Sequence, residues 1–172
     1  MVPSGEYLTW GKEPVEPASS TRSTICLNGL WQFVPNADPD KLVQPEGGWG
    51  WMRVPGSWRN AGWPGAFYGV VAIGSAPSWK GFTKNNQVSA GWYQRPIRIP
   101  GAWAGKRVVL DLARVSTDAT VFLDGQPAGQ VGWPTGQVEL STLIKPGTEQ
   151  SLRVLVLSTA GVKEFAQFMG TA

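Results

Sequence analysis

The sequence has no histidine and a single cysteine, Cys26, and these two shortages remove much of the chemistry that its 172 residues could carry. Without histidine there is no Ser-His-Asp or Cys-His nucleophile pair and no imidazole metal ligand. One cysteine cannot close an internal disulfide or build a thiolate zinc site. Set between Ile25 and Leu27, it reads as a buried thiol rather than a reactive one. Charge is scarce too, at 16% of residues against roughly 25% in typical globular domains. The net charge is +3, and apart from Lys106-Arg107 the cations stand scattered and singly. A nucleic-acid footprint needs them clustered on one face, so that class is excluded. No apolar run reaches the roughly 18 residues of a membrane span, which excludes a membrane partner of that kind. The early residues show no basic start followed by an apolar core, so no signal peptide is visible. The compartment stays open, and a periplasmic or extracellular location requires that a signal was removed.

Gly-rich phosphate loops are also lacking. Carboxylates are present, and a retaining glycosidase needs only two of them about 5 Å apart. Glu6, Glu13 and Glu16 fall in the N-terminal segment, and Asp38, Asp40 and Glu46 in a polar connection. Asp124 and Glu149 sit in turns, Asp111 and Asp118 on or beside strands, and Glu139 before a short apolar run. No two are marked as a catalytic pair, and the plain reading is of solvated or turn-capping acids. Asp118 and Asp124 make only a weak case for structural Ca²⁺. No cofactor is expected.

What the chain does hold is 22 glycines, 14 prolines and 10 tryptophans. Short apolar runs closed by turn signals write an antiparallel all-β domain. Ile25 to Val34 reads as a strand with a bend at Gly29, and Pro35 to Pro45 as a polar connection. Trp92 to Ile99 alternates apolar and polar residues and stops at Pro100-Gly101. Val108 to Leu112 and Thr120 to Leu123 are further strands. Asp124-Gly125 tolerates the positive φ of a tight hairpin, from which Gln126 to Val131 returns. Glu139 to Ile144 is a short strand or turn, and Ser151 to Leu157 is apolar on both faces, as a central strand should be. Val70 to Ile73 is a candidate strand within a long Gly and aromatic loop, and Val162 to Met169 a candidate pair of helical turns. Residues 1–24 form an extended arm, 25–160 the domain, and 161–172 a tail or short helix leading into a further domain.

Tryptophan is the candidate for function, because an indole face stacks on a pyranose ring while fixed polar groups bond its hydroxyls. Trp31, Trp92 and Trp103 lie in or at the ends of strands and read as core. Trp49, Trp51, Trp58, Trp63, Trp79 and Trp133 lie in or beside Gly-Pro loops. A sugar site would combine Trp58, Trp63, Trp79 or Trp133 with Arg59, Asn85 or Asn86.

Four motifs in order resemble one family. Leu27-Asn28-Gly29-Leu30-Trp31-Gln32-Phe33 is followed by Val54-Pro55-Gly56-Ser57-Trp58, then Trp92-Tyr93-Gln94-Arg95, then Val121-Phe122-Leu123-Asp124-Gly125. The stretch from Leu27 to Ser158 is similar to the N-terminal sugar-binding domain of glycoside hydrolase family 2, which includes β-galactosidases, β-glucuronidases and β-mannosidases. The resemblance implies a jelly-roll β-sandwich, galactose-binding-domain-like, with an extended N-terminal arm. It implies carbohydrate as ligand, and immunoglobulin-like and TIM-barrel domains of the same polypeptide as partners. The catalytic glutamates belong to that barrel, so no catalytic residue is expected here. The sequence departs from the family by placing Asp124 where Asn is usual and by lacking an Asp after the last strand. The expected function is a non-catalytic accessory domain that shapes the sugar pocket of a β-glycosidase. The alternatives are a free-standing carbohydrate-binding module and a structural domain for inter-domain or oligomer contacts.

Overall fold

The computed structural model describes residues 14–15, 22–36, 43–56 and 88–158. Ten antiparallel strands make up nearly all regular structure there. They are β1 (Pro14–Val15), β2 (Thr24–Ile25), β3 (Gly29–Asn36), β4 (Gly50–Val54), β5 (Ala90–Arg98), β6 (Val109–Leu112), β7 (Asp118–Leu123), β8 (Gln126–Gly132), β9 (Gly136–Glu139) and β10 (Glu149–Leu157). One 3₁₀ turn, Gly101–Trp103, interrupts them. No helix among the described residues is long and apolar enough to cross a membrane.

Six strands form one sheet in the order β4-β3-β5-β10-β7-β8, while β6 and β9 form a second pair and β1 and β2 a third. The fold is an all-β sandwich, because the second pair covers the inner face of the large sheet. Val108, Leu110, Val138 and Leu140 join Phe33, Met52, Tyr93, Val121, Leu123, Leu152 and Val154 in one apolar cluster. Close approach of the layers demands glycine. A Cβ on Gly136 would stand 2.5 Å from Val131 Cγ1, and one on Gly129 2.9 Å from Val138 Cγ1.

The expected strands are present with modest shifts. The bend at Gly29 falls at φ 129°, which separates β2 from β3. β3 continues through Pro35, where the sequence suggested a connection. Among the described residues its partner β4 covers only Gly29 to Phe33, so Pro35 falls where no described strand lies along that edge, a position at which a strand tolerates proline. Glu139 closes β9, and Leu140 to Ile144 turn, with the amides of Leu143 and Ile144 both donating to the Leu140 carbonyl. Within the segment expected as an arm, Pro14–Val15 pair with Thr24–Ile25. Val70 to Ile73 and Val162 to Met169 lie outside the described residues.

β10 is central, as its two-sided apolar pattern implied. It pairs with β5 from Glu149 to Leu157 and with β7 from Leu152 to Leu157. Side chains alternate across a strand, so Leu152 and Val154 enter the inner core while Leu155 joins Val34, Ala90 and Trp92 on the opposite face.

Candidate functional site

The motif residues hold the fold at three places. At the first, the Leu27 carbonyl accepts from Trp31 Nε1 at 2.8 Å and from Arg95 Nη1 at 2.7 Å, and Arg95 also donates to the Asn28 carbonyl at 3.1 Å. A half-buried guanidinium thus closes the loop between β2 and β3. Burial holds Arg95 below its usual pKa, an effect opposed by nearby Cys26. Tyr93, two residues back on the same face, packs its ring 4.9 Å from Phe33 and donates to Met52 Sδ at 3.4 Å. Burial pushes its phenol pKa well up, so it stays neutral.

The second place is the hairpin turn. Asp124 and Gly125 have φ of 48° and 81°, the positive pair of a tight turn. Asp124 Oδ1 accepts the Ser151 amide at 2.8 Å and Oδ2 accepts Gln150 Nε2 at 2.9 Å. These bonds, that from Gln150 first, hold its carboxyl below the usual carboxylate range. Gln150 is buried and also donates to the Leu143 carbonyl and accepts the Lys145 amide, so one side chain ties three segments together.

The third place is the outer face of the large sheet. Trp51, Gln32, Gln94, Arg153 and Phe122 lie opposite one another across β4, β3, β5, β10 and β7. Gln94 Nε2 donates to Gln32 Oε1 at 2.9 Å, Arg153 Nε to Gln94 Oε1 at 2.7 Å, and Arg153 Nη1 to Gln44 Oε1 at 3.1 Å. Gln44 in turn donates to the Gly125 carbonyl at 3.0 Å. The Arg153 guanidinium sits 5.8 Å from the centre of the Trp49 ring. Beside this row Trp92, 1% exposed, packs 5.4 Å from Phe122, and its indole nitrogen has no hydrogen-bond partner among the described residues.

Of the residues expected at a sugar site, Trp133 is described, and it is 69% exposed just beyond β8. The Pro134 carbonyl accepts the Val115 amide at 2.8 Å, and Thr135 Oγ1 donates to the Leu112 carbonyl at 2.9 Å, so the two residues that follow this indole are pinned. Trp58, Arg59, Trp63, Trp79, Asn85 and Asn86 lie outside the described residues. Trp31 and Trp92 are buried as expected, and Trp103 is partly buried against the core.

The described acids do not converge. Asp111 accepts Gln137 Nε2 at 3.1 Å, and Glu139 is bound to Arg107 at 3.1 Å. That bond, with one from Ser141, holds the Glu139 carboxyl below its usual pKa, the wrong direction for a general acid. Asp118 opens β7 and Asp124 follows its last residue, roughly 20 Å away at about 3.3 Å per residue, too far to share one ion. No group of three or more metal-ligating acids or thiols occurs among the described residues.

Sequence reasoning missed the Gln32-Gln94-Arg153 row. Its signal was present: Arg153 is the only charged residue between Ser151 and Leu157, Gln32 stands between Trp31 and Phe33, and Gln94 directly follows Trp92-Tyr93.

No protein-family profile matches the chain. Solved structures do share its fold. A β-glucuronidase from Faecalibacterium prausnitzii matches at TM-score 0.60 and 22% identity, over 84% of this chain and 22% of that one. One from an uncultured Clostridium matches at 0.59 and 20%, over 83% and 23%. One from Dictyoglomus thermophilum matches at 0.53 and 18%, over 77% and 19%. The chain therefore spans about a fifth of each of these proteins.

Proposed function

We propose that this chain is the non-catalytic N-terminal accessory domain of a family 2 glycoside hydrolase, packing against a barrel and shaping one wall of a β-glycosidase sugar pocket. The observation that carries the reading is the fold shared with about a fifth of several β-glucuronidases. The four ordered motifs support it, since three of them fall on structural tasks that such a fold must perform. Leu27 to Phe33 and Trp92 to Arg95 are joined through the Leu27 carbonyl, and Asp124-Gly125 makes the hairpin. The separate engagement of Asp111, Asp124 and Glu139 supports a non-catalytic role.

Two measurements test it. The isolated chain is expected to give no turnover of aryl β-glucuronides, β-galactosides or β-mannosides. Hydrolysis abolished by replacing one Asp or Glu of this chain would sink the reading. The coding frame beyond Ala172 is expected to encode an immunoglobulin-like segment and a barrel with two glutamates, and a stop codon there would count against it.

The exposure of Trp133 favours a second reading, a carbohydrate-binding module in its own right. Its site would join Trp133 with Trp58, Trp63 or Trp79 and with Arg59, Asn85 or Asn86. Tryptophan fluorescence titrated with galactose, glucuronate and mannose, repeated on Trp133→Ala, tests this. A response unchanged by the substitution removes Trp133 from the site.

A further inference from the structure

The outer-face row has a polarity that can be fixed without seeing a hydrogen atom. An arginine can only donate, so the side-chain oxygens of Gln94 and Gln44 must face Arg153, at 2.7 and 3.1 Å. That orientation turns Gln94 Nε2 toward Gln32, whose own oxygen accepts at 2.9 Å. All three amide oxygens are then engaged inside the row. Among the described residues, the Gln32 amide hydrogens and the second guanidinium nitrogen of Arg153 are left to donate, while each amide oxygen already accepts one bond and keeps one lone pair.

The charge balance points the same way. Arg153 is half-buried, yet its partners are two neutral glutamine oxygens and the Trp49 ring, and no carboxylate pairs with it among the described residues. A guanidinium held this way keeps a positive charge in a partly desolvated place without a counter-charge, an arrangement that an incoming anion relieves. Its planar fork matches a carboxylate bidentately, and two flanking glutamines hold the fork in one orientation. Trp51 stands opposite Gln32 at the β4 edge and Trp49 beneath the guanidinium, so the ligand's non-acidic part would meet indole surface.

We propose that the Gln32-Gln94-Arg153 row with Gln44 and Trp49 is a binding site for a small carboxylate, carried by a sugar acid or by a simple organic acid. The inference is independent of the accessory-domain reading and does not use Trp58, Trp63, Trp79 or Trp133.

The test follows the side-chain N–H resonances of Arg153 and Gln32 in the ¹⁵N-labelled 172-residue chain. The titrants are sodium glucuronate, galacturonate and acetate, with glucose and ionic-strength-matched sodium chloride as controls. Saturable shifts are expected with the carboxylates, with Kd on the order of millimolar, and none with glucose or chloride. Uronates binding about tenfold tighter than acetate would assign the site to sugar acids, and equal affinity to simple organic acids. Gln94→Glu sets an internal carboxylate against Arg153 and should fold while weakening binding by about tenfold or more. Arg153→Lys keeps the charge but loses the fork and should weaken it by a similar factor. The proposal is overturned if no carboxylate moves these resonances, if chloride moves them equally, or if Gln94→Glu binds like the parent.

Discussion

The two faces of the six-stranded sheet are built from the same strands and do different work. Inward, β3, β5, β7 and β10 present Phe33, Tyr93, Val121, Leu123, Leu152 and Val154, roofed by β6 and β9 in a continuous apolar layer. Outward, the same strands carry four buried apolar residues, Val34, Ala90, Trp92 and Leu155, next to a row of glutamines and one arginine. The inner face is general: hydrophobic residues of suitable volume fill it. The outer face is particular, because Gln32, Gln94, Gln44 and Arg153 bond one another in defined directions. Stability should therefore reside mainly inward and recognition outward.

Leu152 and Leu155 allow the sharpest test, being on one strand, three residues apart, on opposite faces, and exposed by only 0% and 4%. Truncating a buried leucine to alanine costs about 2–5 kcal/mol, more where neighbours cannot collapse into the void. Leu152→Ala, set in the larger cluster, is expected near the upper end of that range, and Leu155→Ala near the lower end. Denaturant unfolding of both variants decides the matter, and a reversed order would break the comparison.

A smaller effect is expected where the two faces meet. The Asp124-Gly125 turn is tied inward through buried Gln150 and outward through Gln44, which donates to the Gly125 carbonyl. Space is not the constraint at Gly125, since a Cβ there would stand 3.9 Å from Gln44 Oε1. Its φ of 81° is, and left-handed backbone costs an L-residue roughly 1–2 kcal/mol, with β-branched side chains the worst. Gly125→Val should lower stability by at least that amount in thermal melts. A variant that melts with the parent would mean the turn couples neither face.

Much of this was legible in the sequence, and the boundary is informative. Strand positions, the Gly29 bend, the Asp-Gly hairpin and the central place of β10 follow from period-two patterning and turn chemistry, which act over a few residues. The partners of Arg95 and Arg153, and the Asp124 partner of Gln150, do not, because they lie 67, 68, 59, 109 and 26 residues away and are set by register. Arg95 drew notice through a motif, and the structure explains its presence as a clasp on the Leu27 carbonyl. Gln94, between the motif's Tyr and Arg, is the link between Gln32 and Arg153. Pro35 misled for a related reason: proline signals a strand's end unless it falls where the described neighbouring strand has already stopped.

The smallest effect expected is a pH dependence. The Asp124 carboxyl is held below its ordinary pKa by the Gln150 and Ser151 bonds, so the folded state favours its ionised form. A group whose folded pKa is depressed contributes stability that is present above its unfolded value, about 3.9 for aspartate, and lost as pH falls through the folded value. Asn at 124 tolerates the left-handed backbone, with φ at 48° in the parent, and can accept through its amide oxygen, so Asp124→Asn removes the charge while sparing the turn. The parent should lose stability on acidification below about pH 4 more steeply than Asp124→Asn, with the two curves converging at low pH. Because the carboxylate is largely exposed, solvent screening keeps the difference smaller than the Gly125→Val effect. Parallel curves from neutral to acid pH would show that the Asp124 bonds hold the hairpin by geometry alone, leaving the buried Gln150 contacts to the Leu143 and Lys145 backbones as the tie to the inner face.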